Sequence, residues 1–382
     1  MTTHFRFDPL SLPREAEALR GEVRAFLADS LDGRSAERRA DTWTGFDAGF
    51  SRALGARGWI GMTWPRQYGG GERSALERYV MLEEVLAAGA PVAAHWFADR
   101  QSGPLLLRYG TEEQRCQLLP AMARGEIYFA VGMSEPNVGS DVASVRARAK
   151  PADGGWVLNG AKIWSTFAQF SHYMIALVRT SGEAKDRHAG LSQVLIDLSA
   201  PGVTVRPIKD ITGGEHFNEV IFEDVRLPAS AVIGTEGDGW NQVMAELAYE
   251  RSGPERYLSS LQSLVQMVAA AEGRGGDRLR VAIGRAVAHV AVLRQMSLSI
   301  AGQLQAGHAP NLEAALVKDL GTSFEQSLPE TLHDVLGIEP SLSGGDAERV
   351  HANLLQLSPC FSLRGGTREI LRGIIARGLG LR

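Results

Sequence analysis

Apolar residues along this chain change their spacing twice, and that double change narrows the folds open to it. Leu12, Ala16, Leu19, Val23, Phe26 and Leu27 recur every three or four positions, the period of a helix with one buried face. The same spacing holds over 80–86 and 114–122. From about Phe129 the pattern becomes short apolar runs, at 156–158, 173–178 and 194–196, broken by Gly, Pro, Asn and Asp. After Gly237-Asp238-Gly239 the helical period returns at 240–249, 258–271, 279–304 and 312–327, with a last helix over 367–376. Helices, then strands, then helices predict three successive domains: α-helical over 1–126, β over 127–236 and helical over 237–382. The small-residue stretch 269–276 reads as a helix-to-helix turn, and Asn159-Gly160 as a hairpin turn.

Composition removes several classes of function. A formal net charge of -4 and a pI near 6.2 give no electrostatic footprint for nucleic acid. Cys116 and Cys360 are too few for a disulfide framework or a four-ligand zinc site, so no metal is expected and a reducing cytosol fits best. The N-terminal residues lack the basic-then-apolar pattern of a secretory signal, and no later run suggests a membrane span. No G-x-G-x-x-G follows a predicted strand, and neither a phosphate loop nor H-E-x-x-H occurs. Gly132-Met133-Ser134-Glu135-Pro136 misses the G-x-S-x-G elbow at Pro136, which disfavours hydrolase chemistry.

Two segments remain as candidates for chemistry. Val131-Gly132-Met133-Ser134-Glu135-Pro136, continuing through Gly139-Ser140-Asp141, sets hydroxyls and flexible backbone beside an apolar strand, an arrangement able to wrap a polar ring. Taken alone it reads better as a strand ending in a Pro/Gly turn. Some 20 residues on, Asn159-Gly160-Ala161-Lys162-Ile163-Trp164-Ser165-Thr166 places an aromatic plane and a hydroxyl two positions apart, on one face of a strand.

Together these segments resemble the S/T-E-P-x-x-G-S-D and N-G-x-K-x-W-x-T signatures of the acyl-CoA dehydrogenase family. The stretch 214–228 and Gly365-Gly366-Thr367-Arg368-Glu369-Ile370 resemble two later family segments, so the likeness spans nearly the whole chain. It implies a helical N-terminal domain, a β-barrel-like middle domain and a C-terminal four-helix bundle, assembled as a tetramer around flavin adenine dinucleotide (FAD). By residue match Val131, Met133 and Ser134 line the isoalloxazine ring, Trp164 packs against it, and Thr166 bonds near its N5. Gly139, Ser140, Thr367 and Glu369 lie in the matching cofactor segments, with Ser140 towards the flavin or the coenzyme A (CoA) arm.

The implied reaction, α,β-dehydrogenation of an acyl-CoA to a 2-enoyl-CoA, needs a carboxylate to remove the α proton. Many members carry it as a Glu immediately before the Gly-Thr of the C-terminal signature, where this chain has Gly365. A branch that includes isovaleryl-CoA dehydrogenase carries it on the first helix of the last domain, as Glu before Arg, and Glu250-Arg251 matches that place. Pro254 withholds the N–H that the Glu250 carbonyl would otherwise receive, so the helix should be distorted there. The resemblance therefore assigns the base to Glu250, its orientation to Arg251, and a small oxyanion site to the backbone N–H of Gly365.

The chain departs from the family at the R-x-x-F-G and Q-x-x-G-G segments that reach the flavin pyrophosphate and adenine. It reads Gly273-Arg274-Gly275-Gly276-Asp277 and His333-Asp334-Val335-Leu336-Gly337 there, leaving Arg278 or Arg280 to compensate. The loss suggests a two-plus-two heterotetramer with a sister subunit as an alternative to a homotetramer, with an electron-transfer flavoprotein as acceptor. A non-catalytic partner subunit, or a flavin oxidase or monooxygenase on the same fold, are the competing readings.

Overall fold

The computed structural model describes residues 5–41, 44–274 and 276–381, without the side chains at 184, 246–250, 273 and 274. In chain order the helices are α1 Arg14–Ser30, α2 Ala36–Ala40, α3 Ala48–Ala56, α4 Ala75–Ala87, α5 Ala93–Phe97, α6 Gly103–Tyr109 and α7 Glu112–Ala123, then α8 Gly239–Glu250, α9 Leu261–Arg274, α10 Asp277–Gln305, α11 Asn311–Leu336, α12 Asp346–Leu357 and α13 Arg368–Gly378. Between α7 and α8 lie β1 Phe129–Gly132, β2 Arg148–Ala152, β3 Gly155–Thr166, β4 Tyr173–Arg179, β5 Leu191–Asp197, β6 Val203–Ile208 and β7 Phe217–Pro228. The chain packs as two units, one of Phe46–Glu72 and Val92–Glu246, the other of Met1–Gly45, Arg73–Pro91 and Leu247–Arg382.

The first unit is built on the strands. They bond in the order β1-β4-β2-β3-β7-β6, with β5 also on β4, and the sheet curls around a core that includes Ala130, Leu158, Met174, Ile196, Val220 and Phe222. Parallel β1 and β4 set Ala130 opposite Met174, while β3, β7 and β6 pair antiparallel. A second apolar cluster joins Phe129 and Ile175 to Leu105 and Leu106 of α6 and to Leu118, Leu119 and Met122 of α7.

Asn159-Gly160 is not the hairpin turn that its residue types suggest. The turn between β2 and β3 is Asp153-Gly154, with Gly154 at φ 76°. Asn159 and Gly160 lie inside β3 at an irregularity of its pairing with β7, where the register shifts between Leu158 and Gly160. The Asn159 side chain donates to the Asp224 carboxylate at 2.9 Å and accepts the Asp224 N–H at 3.0 Å, closing the bulge across two strands. Gly160 has φ 137°, and a Cβ there would stand 2.7 Å from Ala147 Cα.

In the helical unit α1 buries the face that its spacing predicts, Ala16, Leu19, Val23, Phe26 and Leu27. Part of that face meets Leu76, Tyr79 and Val80 of α4 and Leu298 of α10. A capping box starts α4: Ser74 Oγ accepts the Glu77 N–H at 3.1 Å and the Glu77 carboxylate accepts the Ser74 N–H at 2.8 Å. Helix α11 outruns the stop expected near 327 and continues past Pro329 to Leu336. An interior proline costs about 3 kcal/mol, but Leu328 and Leu332 are 2% and 0% exposed, and burying each leucine returns about 1.5–3 kcal/mol. Similarly, α9 carries most of the stretch expected as a turn, because Ala269–271 are strong helix formers. No helix among the described residues is long and apolar enough to cross a membrane.

Gly160→Ala should lower stability by about 2–4 kcal/mol, combining overpacking with backbone strain. Gly154→Ala, in open space, should cost only about 1–2 kcal/mol. Urea unfolding of the two variants checks the order; equal costs would return the turn to Asn159-Gly160.

Candidate active site

In the sheet unit, the segment leaving β1 is tied down by one carboxylate. Glu135 is buried and accepts the N–H groups of Arg146 at 2.7 Å and Ala147 at 2.8 Å, together with Lys162 Nζ at 2.9 Å. Lys162, on β3, is fully buried and also donates to the Met133 carbonyl at 3.2 Å. Burial pulls the Lys162 ammonium below its usual range, against the opposing pull of Glu135. Pro136 and Asn137 form the tip of a tight turn closed by two bonds between Glu135 and Val138, at 2.8 and 2.9 Å. Ser134 joins the same structure, its carbonyl accepting the Ile163 N–H of β3 at 2.9 Å. Val131, Met133 and Ser134 stay half-buried, and Gly139 and Ser140 are exposed.

The orientation of Trp164 comes from a second bulge. Strand side chains alternate, so Trp164 in a regular β3 would share the buried side of Lys162. Register shifts between Lys162 and Ser165, and Trp164 takes φ 60°, unusual for a bulky residue. Its indole is turned outward, 56% exposed, and rests edge-on against Phe217 with ring centres 6.0 Å apart. Ser165 then points inward and Thr166 is half-buried on the outer side beside Trp164. The shared face predicted for Trp164 and Thr166 is present, and the bulge turns it outward.

In the helical unit α8 ends at Glu250, and a 3₁₀ turn over Pro254–Arg256 follows, so the distortion expected from Pro254 is a full stop. The Glu250 side chain lies outside the described residues. Arg251 is buried and donates through Nε to the Gly365 carbonyl at 3.1 Å. Gly365 and Gly366 have φ 66° and 96°, and Lys318 Nζ of α11 donates to the Gly366 carbonyl at 3.0 Å. Thr367 caps α13, its hydroxyl accepting the Ile370 N–H at 3.5 Å. The Glu369 carboxyl is held below its usual range by its own backbone N–H and by the Thr367 hydroxyl.

Beneath this turn lies a buried ionic group. Glu325 of α11 accepts the Ser259 N–H at 2.7 Å and Arg364 Nη2 at 3.3 Å, and the same nitrogen donates to Ser259 Oγ at 2.6 Å. Burial pushes the Glu325 carboxyl up and pulls the Arg364 guanidinium down to about 10, each opposed by the other's charge. Gly321, one turn before Glu325, lets α11 press against the Arg256 carbonyl, which an added Cβ would meet at 2.1 Å.

Family models described as Acyl-CoA dehydrogenase N-terminal, middle and C-terminal domains match residues 13–126, 130–225 and 237–380. The chain belongs to the acyl-CoA dehydrogenase family. Acyl-CoA dehydrogenase IpdE1 of Mycobacterium tuberculosis is 34% identical over 385 residues, covering 96% of this chain and 98% of the relative. Among solved structures, the Tcur3481-Tcur3483 steroid ACAD superposes with a TM-score of 0.86 at 29% identity, covering 97% of this chain and 99% of that one. The ChsE4-ChsE5 complex from Mycobacterium tuberculosis gives 0.84 at 27%, covering 98% and 100%. Membership makes this an FAD-dependent dehydrogenase of acyl-CoA thioesters.

The sheet-unit residues fit a flavin ring. An indole held outward by a strained backbone, with a hydroxyl on the same side, is what a planar ring with polar edges can stack on and bond to. Among the described residues no group of His, Cys, Asp or Glu could hold a metal ion. Reading the sequence for chemistry left Glu135, Lys162, Lys318, Glu325 and Arg364 without roles. For the first two the signal was present, since a charge of each sign stands inside its motif. Lys318, Gly321 and Glu325, spaced three and four apart on one helix, look from sequence like a solvated face.

Lys162→Met leaves the Glu135 carboxylate buried with only its backbone donors. The loss should be about 3–5 kcal/mol, and the purified protein should carry less FAD. Urea unfolding and flavin absorbance relative to protein measure both; stability within about 0.5 kcal/mol of wild type would show that the pair holds nothing in place.

Proposed function

We propose that the protein oxidises the CoA ester of a branched, cyclic or steroid-type acid to its 2-enoyl-CoA, with Glu250 removing the α proton. The observation carrying this reading is the 3.1 Å bond from Arg251 to the Gly365 carbonyl. It ties the residue after the helix-borne glutamate to the residue that stands where other members carry their base. Of the two alternative base positions of the family, only position 250 holds a carboxylate in this chain, and the bond from its neighbour Arg251 to Gly365 supports that assignment. FAD, when bound, accepts the β hydride. Val131, Met133, Ser134, Trp164 and Thr166 are assigned to its ring, with Gly139, Ser140, Thr367 and Glu369 in the surrounding cofactor segments.

For the protein's own residues the chemistry divides into two tasks. Glu250 takes the proton from the α carbon. The N–H of Gly365 polarises the thioester carbonyl, which makes that proton more acidic, and Arg251 fixes the turn from the other side. A bulky acyl group is supported by the steroid named in the Tcur3481-Tcur3483 structure. That protein and the ChsE4-ChsE5 complex are named as pairs of different chains. This supports a sister subunit here, as does the absence of the R-x-x-F-G and Q-x-x-G-G segments. An electron-transfer flavoprotein is the proposed acceptor.

Glu250→Gln should retain FAD yet lose about 10²–10⁴-fold in flavin bleaching by a panel of branched and steroid acyl-CoA esters under anaerobic conditions. A variant that bleaches at the wild-type rate removes Glu250 from the mechanism. If the chain purifies alone without flavin, co-expression with a homologue from its own genome should restore colour, and native mass then gives the subunit ratio.

A further inference from the structure

Two buried cations grip consecutive carbonyls of one turn. Arg251 Nε donates to the Gly365 carbonyl at 3.1 Å and Lys318 Nζ to the Gly366 carbonyl at 3.0 Å. Arg251 is 5% exposed and Lys318 is 0% exposed, and both make other interactions as well. Taking an ammonium out of water is expensive, so a fully buried lysine is retained against a standing cost. The helix places it with care: Lys318 and Glu325 flank Gly321 on one face of α11, and Gly321 is where that face comes closest to the Arg256 carbonyl.

The direction of the N–H groups follows from peptide geometry. In a trans peptide the C=O and N–H of one plane point opposite ways. Each carbonyl is drawn toward a buried cation. Gly366 N–H, in the plane gripped by Arg251, and Thr367 N–H, in the plane gripped by Lys318, are therefore aimed away from those cations. Neither has an acceptor among the described residues. A positive charge on the carbonyl also polarises the N–H of its own plane, since bonds in a chain strengthen one another. The positive φ values of both glycines, 66° and 96°, are what permit two successive carbonyls to turn inward.

We infer that Lys318 is a positioning residue of the dehydrogenation, fixing the Gly365–Gly366–Thr367 turn so that the Gly365 N–H assigned to the thioester carbonyl is held in place. This rests on the proposed role of that turn. Lys318 does not touch the substrate; it acts through the peptide it holds.

The test uses FAD-loaded protein and compares Lys318→Met and Lys318→Arg with wild type. Crystal structures of the variants read the Gly365–Gly366–Thr367 turn, and hydrogen exchange along α11 reads folding; neither needs a substrate. In Lys318→Met the Gly366 carbonyl should turn away from residue 318 while α11 keeps its protection, and Lys318→Arg should restore it. Cinnamoyl-CoA supplies the electronic readout, because its absorption moves to longer wavelength as its thioester carbonyl is polarised. Lys318→Met should lose at least about half of the wild-type shift, with kcat down about ten- to a hundredfold and KM changed far less. A Gly366 carbonyl that stays in place in Lys318→Met overturns the inference, and so does loss of protection along all of α11, which is general destabilisation. Full activity in Glu250→Gln would instead sink the base assignment, leaving the geometry of the turn in Lys318→Met to stand or fall alone.

Discussion

The bond on which the sheet unit's candidate site depends is the buried one between Lys162 and Glu135. It joins two segments that sequence presents as separate signatures, one leaving β1 and one inside β3, and makes them a single object. Neither charge could be buried alone: an unpaired carboxylate or ammonium in that core would cost several kcal/mol. Glu135 spends its remaining acceptor capacity on Arg146 and Ala147, which brings the chain back to start β2. Lys162 spends a second donor on Met133. The half-buried rim of Val131, Met133 and Ser134 is thus fixed by charges beneath it as well as by its own backbone bonds to β3 and β4.

The helical unit repeats this strategy with different residues. Glu325, Arg364 and Ser259 form a buried group under one end of the Gly365–Gly366 turn, while Arg251 and Lys318 hold its carbonyls. In both units a half-buried stretch of backbone is oriented by charged groups packed beneath it. Dipoles fixed before the reaction need no reorganisation during it, which is where such a framework gains over a flexible loop bonded to solvent. The cost is a core intolerant of losing any one partner.

The double change of apolar period was enough to separate the strand-rich segment from the helices on either side, because periodicity reflects which face is buried. What it missed were places where tertiary packing outvoted local preference. Pro329 should have ended α11, but Leu328 and Leu332 are buried on either side of it and the helix continues. Asn159-Gly160 has the composition of a hairpin turn and is instead a bulge, because Asp224 on β7 bonds the Asn159 side chain. No sequence rule anticipated that Trp164 would adopt φ 60° and face outward, since that depends on the register of β3 against β7. The charges of α11 were invisible for a related reason: Lys and Glu signal solvent until their partners, far along the chain, are known.

The glycine at position 365 and the glutamate at position 250 are best understood together. A side chain at 365 would have to accept φ 66°, a conformation costing roughly 1–2 kcal/mol for any residue with a Cβ. A base carried there would pay that strain or force the turn open, and opening it would release the Gly365 carbonyl from Arg251. With the carboxylate assigned to the end of α8, position 365 is free to be glycine, and both carbonyls of the turn can face inward. Glu at position 365 would therefore be expected to loosen the turn whose carbonyls Arg251 and Lys318 hold.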